Sequence, residues 1–256
     1  MLVRINDLDT HVTLLGEGRP VILLHGWGTS SESLTGIAKV LEDRFQVYAI
    51  DLPGFGWTPP PPVAWGTREY ASHVGAFMDC AGIPCASVLG HSFGGRIALA
   101  LAAQAPQRVR SLVLVASAGI RPRRGPGYAL KAAAARIGKR IFSFPAWGRL
   151  GERIVSAVSL RTGSRDYRNA GPMRPTLVKV VNEDLSGLLS SIRVPTLIIW
   201  GDRDQEVPRS SMEIMAQRIP GSRLEVLQGA GHFPFVDMPD RFSQVVKEFL
   251  CQDSMR

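Results

Sequence analysis

The hexapeptide Gly90-His91-Ser92-Phe93-Gly94-Gly95 constrains the fold of this chain more than any other segment. It lies between the apolar run Ala86-Ser87-Val88-Leu89 and the helix-prone stretch Arg96-Ile97-Ala98-Leu99-Ala100-Leu101-Ala102-Ala103. A strand that feeds a helix through so tight a turn needs glycine two residues before and two after its central residue, because side chains there would collide with neighbouring backbone. The turn lifts the Ser92 hydroxyl above the sheet and aims the first N–H groups of the helix at whatever that hydroxyl attacks. Gly-x-Ser-x-Gly between strand and helix is the setting of a nucleophile elbow. Glycine is 26 of 256 residues, so the pattern alone also fits a structural turn. Its meaning depends on whether the chain supplies a base, an acid and a second oxyanion donor in a workable order.

The elbow sits within an alternation of strands and helices. Val3–Asn6, Thr10–Leu15, Val21–Leu24 and Gln46–Ile50 read as strands, with a helical pattern over Ser30–Leu41. Thr67–Ala81 reads as a helix, and Arg110–Val115 as a further strand. The runs Val21-Ile22-Leu23-Leu24 and Leu112-Val113-Leu114-Val115 are apolar without a break, as expected for strands covered on both faces. The pattern predicts an α/β protein with a mostly parallel, doubly wound sheet. At Ala118-Gly119 the alternation stops, and it resumes with strands Pro195–Trp200 and Arg223–Leu227 and a final helix over Asp240–Leu250. The expected organisation is a core of residues 1–118 and 190–256, interrupted by a helical, strongly basic insertion of residues 119–189. Within the insertion Leu130–Ile141 is amphipathic, and Tyr128, Phe142, Phe144 and Trp147 are candidates to roof a site or to pack against the core.

Charge separates the insertion from the rest. The chain is net +8, but residues 121–180 hold 14 Lys or Arg against Glu152 and Asp166, a net of +12, and the remainder is net −4. Such a segment favours anionic substrates, a membrane surface or nucleic acid by attraction, or forms a solvated basic surface. No zinc-finger spacing or RNA-binding signature accompanies it, so nucleic acid is not an expected partner. Hydrophobic residues make up 45 % of the chain, yet no apolar run reaches the ~18 residues that would span a membrane. Three cysteines, Cys80, Cys85 and Cys251, are too few for a disulfide framework or a metal cluster. The first residues lack the apolar core of a secretion signal, and the expectation is a reduced, cytoplasmic protein without metal or cofactor.

A serine hydroxyl needs a base. Of five histidines, His11 reads as a surface residue of an edge strand, His73 as the outer face of a helix, and His91 as packing beside the serine. His25 ends a buried strand and suits holding a loop by hydrogen bonds. His232, in the loop Gly229-Ala230-Gly231-His232-Phe233-Pro234, reaches the strand ends where α/β sheets place their sites. The base needs an acid to set its tautomer. Asp202, Asp204 and Glu206 compete in the loop after Trp200: Asp202 suits a turn cap and Glu206 a solvated position. No acid follows the strand ending at Val115, so the order serine, acid, histidine is the one available.

Five segments in this order resemble the α/β-hydrolase fold superfamily over nearly the full length: Leu24-His25-Gly26-Trp27-Gly28, Asp51-Leu52-Pro53-Gly54-Phe55-Gly56, the elbow, Gly201–Pro208 and Gly229–Pro234. The resemblance implies that Ser92 is the nucleophile, Asp204 (in Gly-x-x-Asp-x-x-Val-Pro) the acid and His232 the base. It implies that the N–H groups of Trp27 and Phe93 form the oxyanion hole, and that the insertion is the family's cap. Serine in the elbow argues against the haloalkane dehalogenases and epoxide hydrolases, which use aspartate there. The pairing of His-Gly-Trp-Gly with Gly-His-Ser-Phe-Gly-Gly is similar to small carboxylesterases. The expected activity is therefore cleavage of a small-molecule ester, anionic esters included, with Trp27, Phe93 and Phe233 lining the substrate pocket. Aminopeptidases and hydrolases of carbon–carbon bonds in meta-cleavage products share the triad and stand as alternatives. A small-molecule sensor on a hydrolase fold is the alternative of another class.

Overall fold

The computed structural model describes residues 1–120 and 165–252. The expectations for Leu130–Ile141, Tyr128, Phe142, Phe144 and Trp147 lie outside the described residues. The chain divides into two compact units, residues 1–121 with 175–256, and residues 122–174.

The larger unit is an eight-stranded sheet in the order β1-β2-β4-β3-β5-β6-β7-β8. Its strands are β1 (Leu2–Ile5), β2 (Leu8–Leu15), β3 (Arg19–Leu24), β4 (Phe45–Ile50), β5 (Ala86–His91), β6 (Val109–Val115), β7 (Thr196–Gly201) and β8 (Arg223–Leu227). The β1/β2 and β2/β4 pairs are antiparallel, and every pair from β4 through β8 is parallel. The longer described helices of this unit are α1 (Thr35–Leu41), α2 (Thr67–Cys80), α3 (Phe93–Gln104), α4 (Arg174–Asn182, from Pro175 onward), α5 (Arg209–Arg218) and α6 (Pro239–Gln252), with a one-turn helix, Pro234–Asp237, just before α6.

The unbroken apolar runs have the cause expected of them. Alternate residues of one strand serve different cores. Ile22, Leu24, Val88, Leu112, Leu114, Ile198 and Trp200 pack in the cluster that includes α2 and α3 residues such as Tyr70, Phe77 and Ile97. Val21, Leu23, Leu89, Val113, Val115, Leu197 and Ile199 pack in the cluster that includes Ile37 and Leu41 of α1 and Phe242, Val245 and Leu250 of α6. A sheet buried on both faces requires apolar residues at both phases of the pleat.

Two sequence expectations change, and one helix has no counterpart among them. His11 sits in β2, which is paired on both sides, and is part-buried against Asp51 rather than a surface residue of an edge strand. His73 faces inward from α2, is 2 % exposed, and bonds Thr10 Oγ1 at 3.0 Å. Helix α5 carries no assignment from the sequence, because only Met212 and Met215 mark its buried apolar face along with Ser211.

The division at residues 122–174 falls inside the expected 119–189 insertion. Residues 175–189 pack with the larger unit: Val180, Leu185 and Leu189 join its core, and the Leu185 N–H donates to Gly119 O at 2.9 Å. Arg96 of α3 donates from Nη2 to Val180 O at 2.6 Å and Glu183 O at 2.9 Å. In the smaller unit the described residues form a short helix, Arg165–Asn169, and a 3-10 turn, Gly171–Met173, with the Arg174 guanidinium over the Tyr167 ring. Among the described residues no helix is long and apolar enough to cross a membrane, and no three His, Cys, Asp or Glu converge as a metal site.

Candidate active site

The strand order reverses between β3 and β5, since β4 lies on one side of β3 and β5 to β8 on the other. Sites of α/β sheets form at such a switch, beyond the carboxyl ends of the strands. Trp27 follows β3, Ser92 follows β5, Asp204 follows β7 and His232 follows β8.

Ser92 stands between β5 and α3 with φ 50° and ψ −107°, a conformation that L-residues rarely adopt. Its backbone is held from several directions. The Ser92 N–H donates to Val115 O at 2.9 Å, and its carbonyl accepts from the N–H groups of Gly95 and Ala118. The glycines do what the motif requires. A Cβ on Gly90 would overlap Gly94 O, and one on Gly94 would overlap Leu24 O at the end of β3. The first turn of α3 is thereby pressed against the β3 terminus, which carries Trp27. As the first residue of α3, Phe93 has an N–H with no intrahelical acceptor. The Trp27 N–H makes no backbone hydrogen bond among the described residues.

The loop after β7 sorts its three acids by partner. Asp202 Oδ1 accepts from the Gly229 N–H at 2.6 Å and so ties this loop to the next. Asp204 Oδ1 accepts from the N–H groups of Glu206 and Val207 at 2.8 and 3.0 Å, which leaves Oδ2 to bond His232 Nδ1 at 2.9 Å. Burial pushes the Asp204 carboxyl up, but the bonds from His232, Val207 and Glu206 outweigh it and hold the group below the usual carboxylate range. An ionised Asp204 can only accept, so Nδ1 keeps its proton and donates it in this bond, and in the neutral ring Nε2 is the accepting nitrogen. Glu206 is exposed, as expected of a solvated residue, yet its Oε2 lies 3.3 Å from that Nε2. The sequence contained no signal for this contact, because a Glu two residues past the acid reads as an ordinary surface position.

Two further histidines brace the site. His91 is buried between the elbow and the base loop. Its Nε2–H donates to the His232 carbonyl at 2.9 Å, and its ring lies 4.9 Å from the His232 ring and 5.0 Å from Phe233. Burial, with His232 adding to it, pushes its pKa down to about 3, so it is a neutral spacer. A Cβ on Gly26 would lie 2.8 Å from His91 Nδ1 and 3.6 Å from Ser92 Cβ, which puts the Gly26–Trp27 loop directly beside both. His25 accepts from the Leu52 N–H at Nε2 (3.0 Å) and bonds Gly26 O through Nδ1 (2.8 Å), so it joins the loops after β3 and β4. Burial lowers its pKa to about 4, and both ring nitrogens are engaged.

The expected pocket aromatics are placed unequally. Trp27 and Phe93 meet edge to face at 5.3 Å, with Phe55 completing the cluster. Tyr70 meets Phe93 edge to face at 5.1 Å and donates its hydroxyl to Pro53 O at 2.8 Å, a brace the sequence did not reveal. Phe233 stands apart from this cluster and packs on His91 and His232, with 38 % of its surface exposed.

Residues 19–239 match the family model described as the alpha/beta hydrolase fold. The chain belongs to the α/β-hydrolase fold family. This α/β-hydrolase is 30 % identical to a pimeloyl-[acyl-carrier protein] methyl ester esterase of Aeromonas hydrophila, over 95 % of the present chain and 100 % of the relative. Among solved structures it is similar to a membrane phospholipase A described as a bacterial virulence factor, with TM-score 0.78, 27 % identity, and coverage of 99 % of this chain and 86 % of the other. It is also similar to a meta-cleavage product hydrolase of Pseudomonas fluorescens IP01, with TM-score 0.75, 25 % identity and coverage of 98 % and 97 %.

Proposed function

We propose that this α/β-hydrolase cleaves carboxylic esters through an acyl-enzyme on Ser92. The observation that carries the reading is the 2.9 Å bond from His232 Nδ1 to Asp204, on a base loop that His91 ties to the serine elbow. The relative named as a methyl ester esterase supports the same chemistry.

Ser92 Oγ attacks the ester carbonyl while its proton passes to His232 Nε2. Asp204 holds the imidazole in the needed tautomer and stabilises the imidazolium. The carbonyl oxygen becomes an oxyanion that accepts from the N–H groups of Trp27 and Phe93, each worth ~3 kcal/mol when such a donor is removed. The bond to the alcohol oxygen then breaks, and Nε2–H protonates that oxygen as it leaves. Water, deprotonated by His232, attacks the acyl carbon and releases the acid and Ser92.

The test is Ser92→Ala on p-nitrophenyl butyrate. Turnover is expected to fall to the background rate, and labelling by a fluorophosphonate to disappear with it. Retained turnover or labelling at another residue would rule out Ser92 as the nucleophile. The likeness to a meta-cleavage product hydrolase supports a second reading, in which the same residues cleave a carbon–carbon bond. Faster turnover of a dienolic ring-fission product than of any short acyl ester would favour it.

A further inference from the structure

The ester reaction leaves one carboxylate of the site unused, and it touches the atom that performs both proton transfers. Glu206 Oε2 lies 3.3 Å from His232 Nε2. Asp204 already occupies Nδ1, so Nε2 is the nitrogen that takes the Ser92 proton and delivers it to the departing alcohol oxygen. The alcohol half of a bound ester must therefore lie next to Nε2, and its substituents lie next to Glu206. The acyl half lies on the other side of the reacting carbon.

The position of Glu206 is set by a braced loop. Its N–H donates to Asp204 Oδ1 at 2.8 Å. The neighbouring Val207 N–H donates to the same oxygen, and Val207 O accepts from Trp200 Nε1–H at 3.1 Å. On the other side of Asp204, the Arg203 N–H donates to Ala230 O at 2.9 Å. Among the described residues no lysine or arginine forms an ion pair with Glu206; the nearby Arg209 pairs with Glu213 instead. Its ion-pair contact among the described residues is the one to His232, so its charge faces the reaction centre.

We propose that Glu206 makes the alcohol side of the site selective by charge, favouring esters whose leaving alcohol carries an ammonium or quaternary ammonium group over neutral alcohols of the same shape. The inference rests on the ester reading and adds the substrate class on one side of the scissile bond. A carboxylate that is mostly exposed acts through partly screened Coulomb attraction, and at a few ångströms this amounts to a three- to tenfold preference that weakens with salt.

Butyrylcholine and 3,3-dimethylbutyl butyrate isolate the effect, since they differ in one positive charge at nearly constant shape. The readout is the ratio of their kcat/KM values at low ionic strength for the native enzyme, Glu206→Gln and Glu206→Asp. The ratio is expected to fall three- to tenfold in Glu206→Gln, to recover in large part in Glu206→Asp, and to shrink for the native enzyme in 0.5 M salt. The basic segment 121–180 is common to all three proteins, so its field drops out of the comparison between variants. An unchanged ratio in Glu206→Gln, with p-nitrophenyl butyrate still turned over, overturns the role of Glu206 and leaves the ester reading standing. Absence of turnover of every ester by the native enzyme overturns both.

Discussion

Two aspartate–histidine pairs stand at the carboxyl ends of strands in this molecule, and locally they are near copies. After β4, Asp51 Oδ2 bonds His11 Nδ1 at 3.0 Å, and its carboxylate accepts from the N–H groups of Ser31 and Trp57 at 2.7 and 2.9 Å. After β7, Asp204 Oδ2 bonds His232 Nδ1 at 2.9 Å and its other oxygen accepts from two N–H groups. Both carboxyl groups are pushed up by burial and pulled further down by these bonds, to a net position below the usual range. The pairs differ in where their histidines stand. His11 lies within β2, whose backbone is committed to the sheet, and its own N–H donates to Thr58 Oγ1 at 2.9 Å. His232 lies outside the strands, on a loop tied by His91 to the serine elbow. An Asp–His pair is thus a general device for holding two segments together, and under the proposed function it serves catalysis only where a nucleophile shares its neighbourhood.

The largest effect that would sharpen this contrast is Asp204→Asn. Asparagine keeps an oxygen for the two N–H groups but presents the wrong partner to Nδ1, so kcat should fall about 10⁴-fold with the melting temperature nearly unchanged. Next comes the brace between elbow and base loop. His91→Ala should lower kcat about 10- to 100-fold with a much smaller change in KM, and His91→Gln, which can still donate to the His232 carbonyl, should recover part of it. Full activity in His91→Ala would mean that the base loop holds itself. Asp51→Asn should do the reverse of Asp204→Asn. It should cost about 1–3 kcal/mol of stability, a melting temperature lower by ~2–4 °C per kcal/mol, while kcat of the folded protein stays within about threefold. A collapse of kcat in a stably folded Asp51→Asn protein would erase the distinction between the pairs.

The smallest expected effect concerns the buried histidines. His25, His73 and His91 have pKa values near 4, 4 and 3, each lowered chiefly by burial from the ordinary 6.5. Above pH 6.5 neither the folded nor the unfolded chain protonates them, and their contribution to stability is fully present. As pH falls below 6.5 the unfolded chain binds protons that the folded chain refuses, so stability declines towards pH 4 with a slope of up to about three protons. His73→Asn should reduce that slope by about one proton in denaturant titrations between pH 6.5 and 4, without altering kcat. An unchanged slope would mean that His73 does not stay neutral in the folded protein.

Much of the core was legible before any coordinates. Every strand and the helices flanking the elbow lie within a few residues of where the apolar runs and glycines put them, because strand burial and turn sterics act over a handful of neighbouring residues. The less legible features share another property. Helix α5 fully buries two methionines and a serine, with Ile214 and Ala216 only partly buried, too few to create a visible period. His73 reads as outward from its helix, and its burial rests on contacts outside that helix, the Trp65 ring and the partner Thr10, 63 residues away. Tyr70 reads as one more aromatic, and its brace to Pro53 O exists only once the loop after β4 has been folded over α2.

The sequence by itself determined the succession of strands and of the core helices other than α5, the strained turn at Ser92, and the loops that carry the candidate acid and base. Those properties follow from local sterics and from the need of a doubly covered sheet for apolar residues at both phases. Tertiary structure alone decided which Asp–His pair stands near the serine, that His91 bridges to the His232 carbonyl 141 residues on, and that Glu206 meets Nε2. Those contacts depend on how distant strand ends converge, which no local pattern of residues encodes.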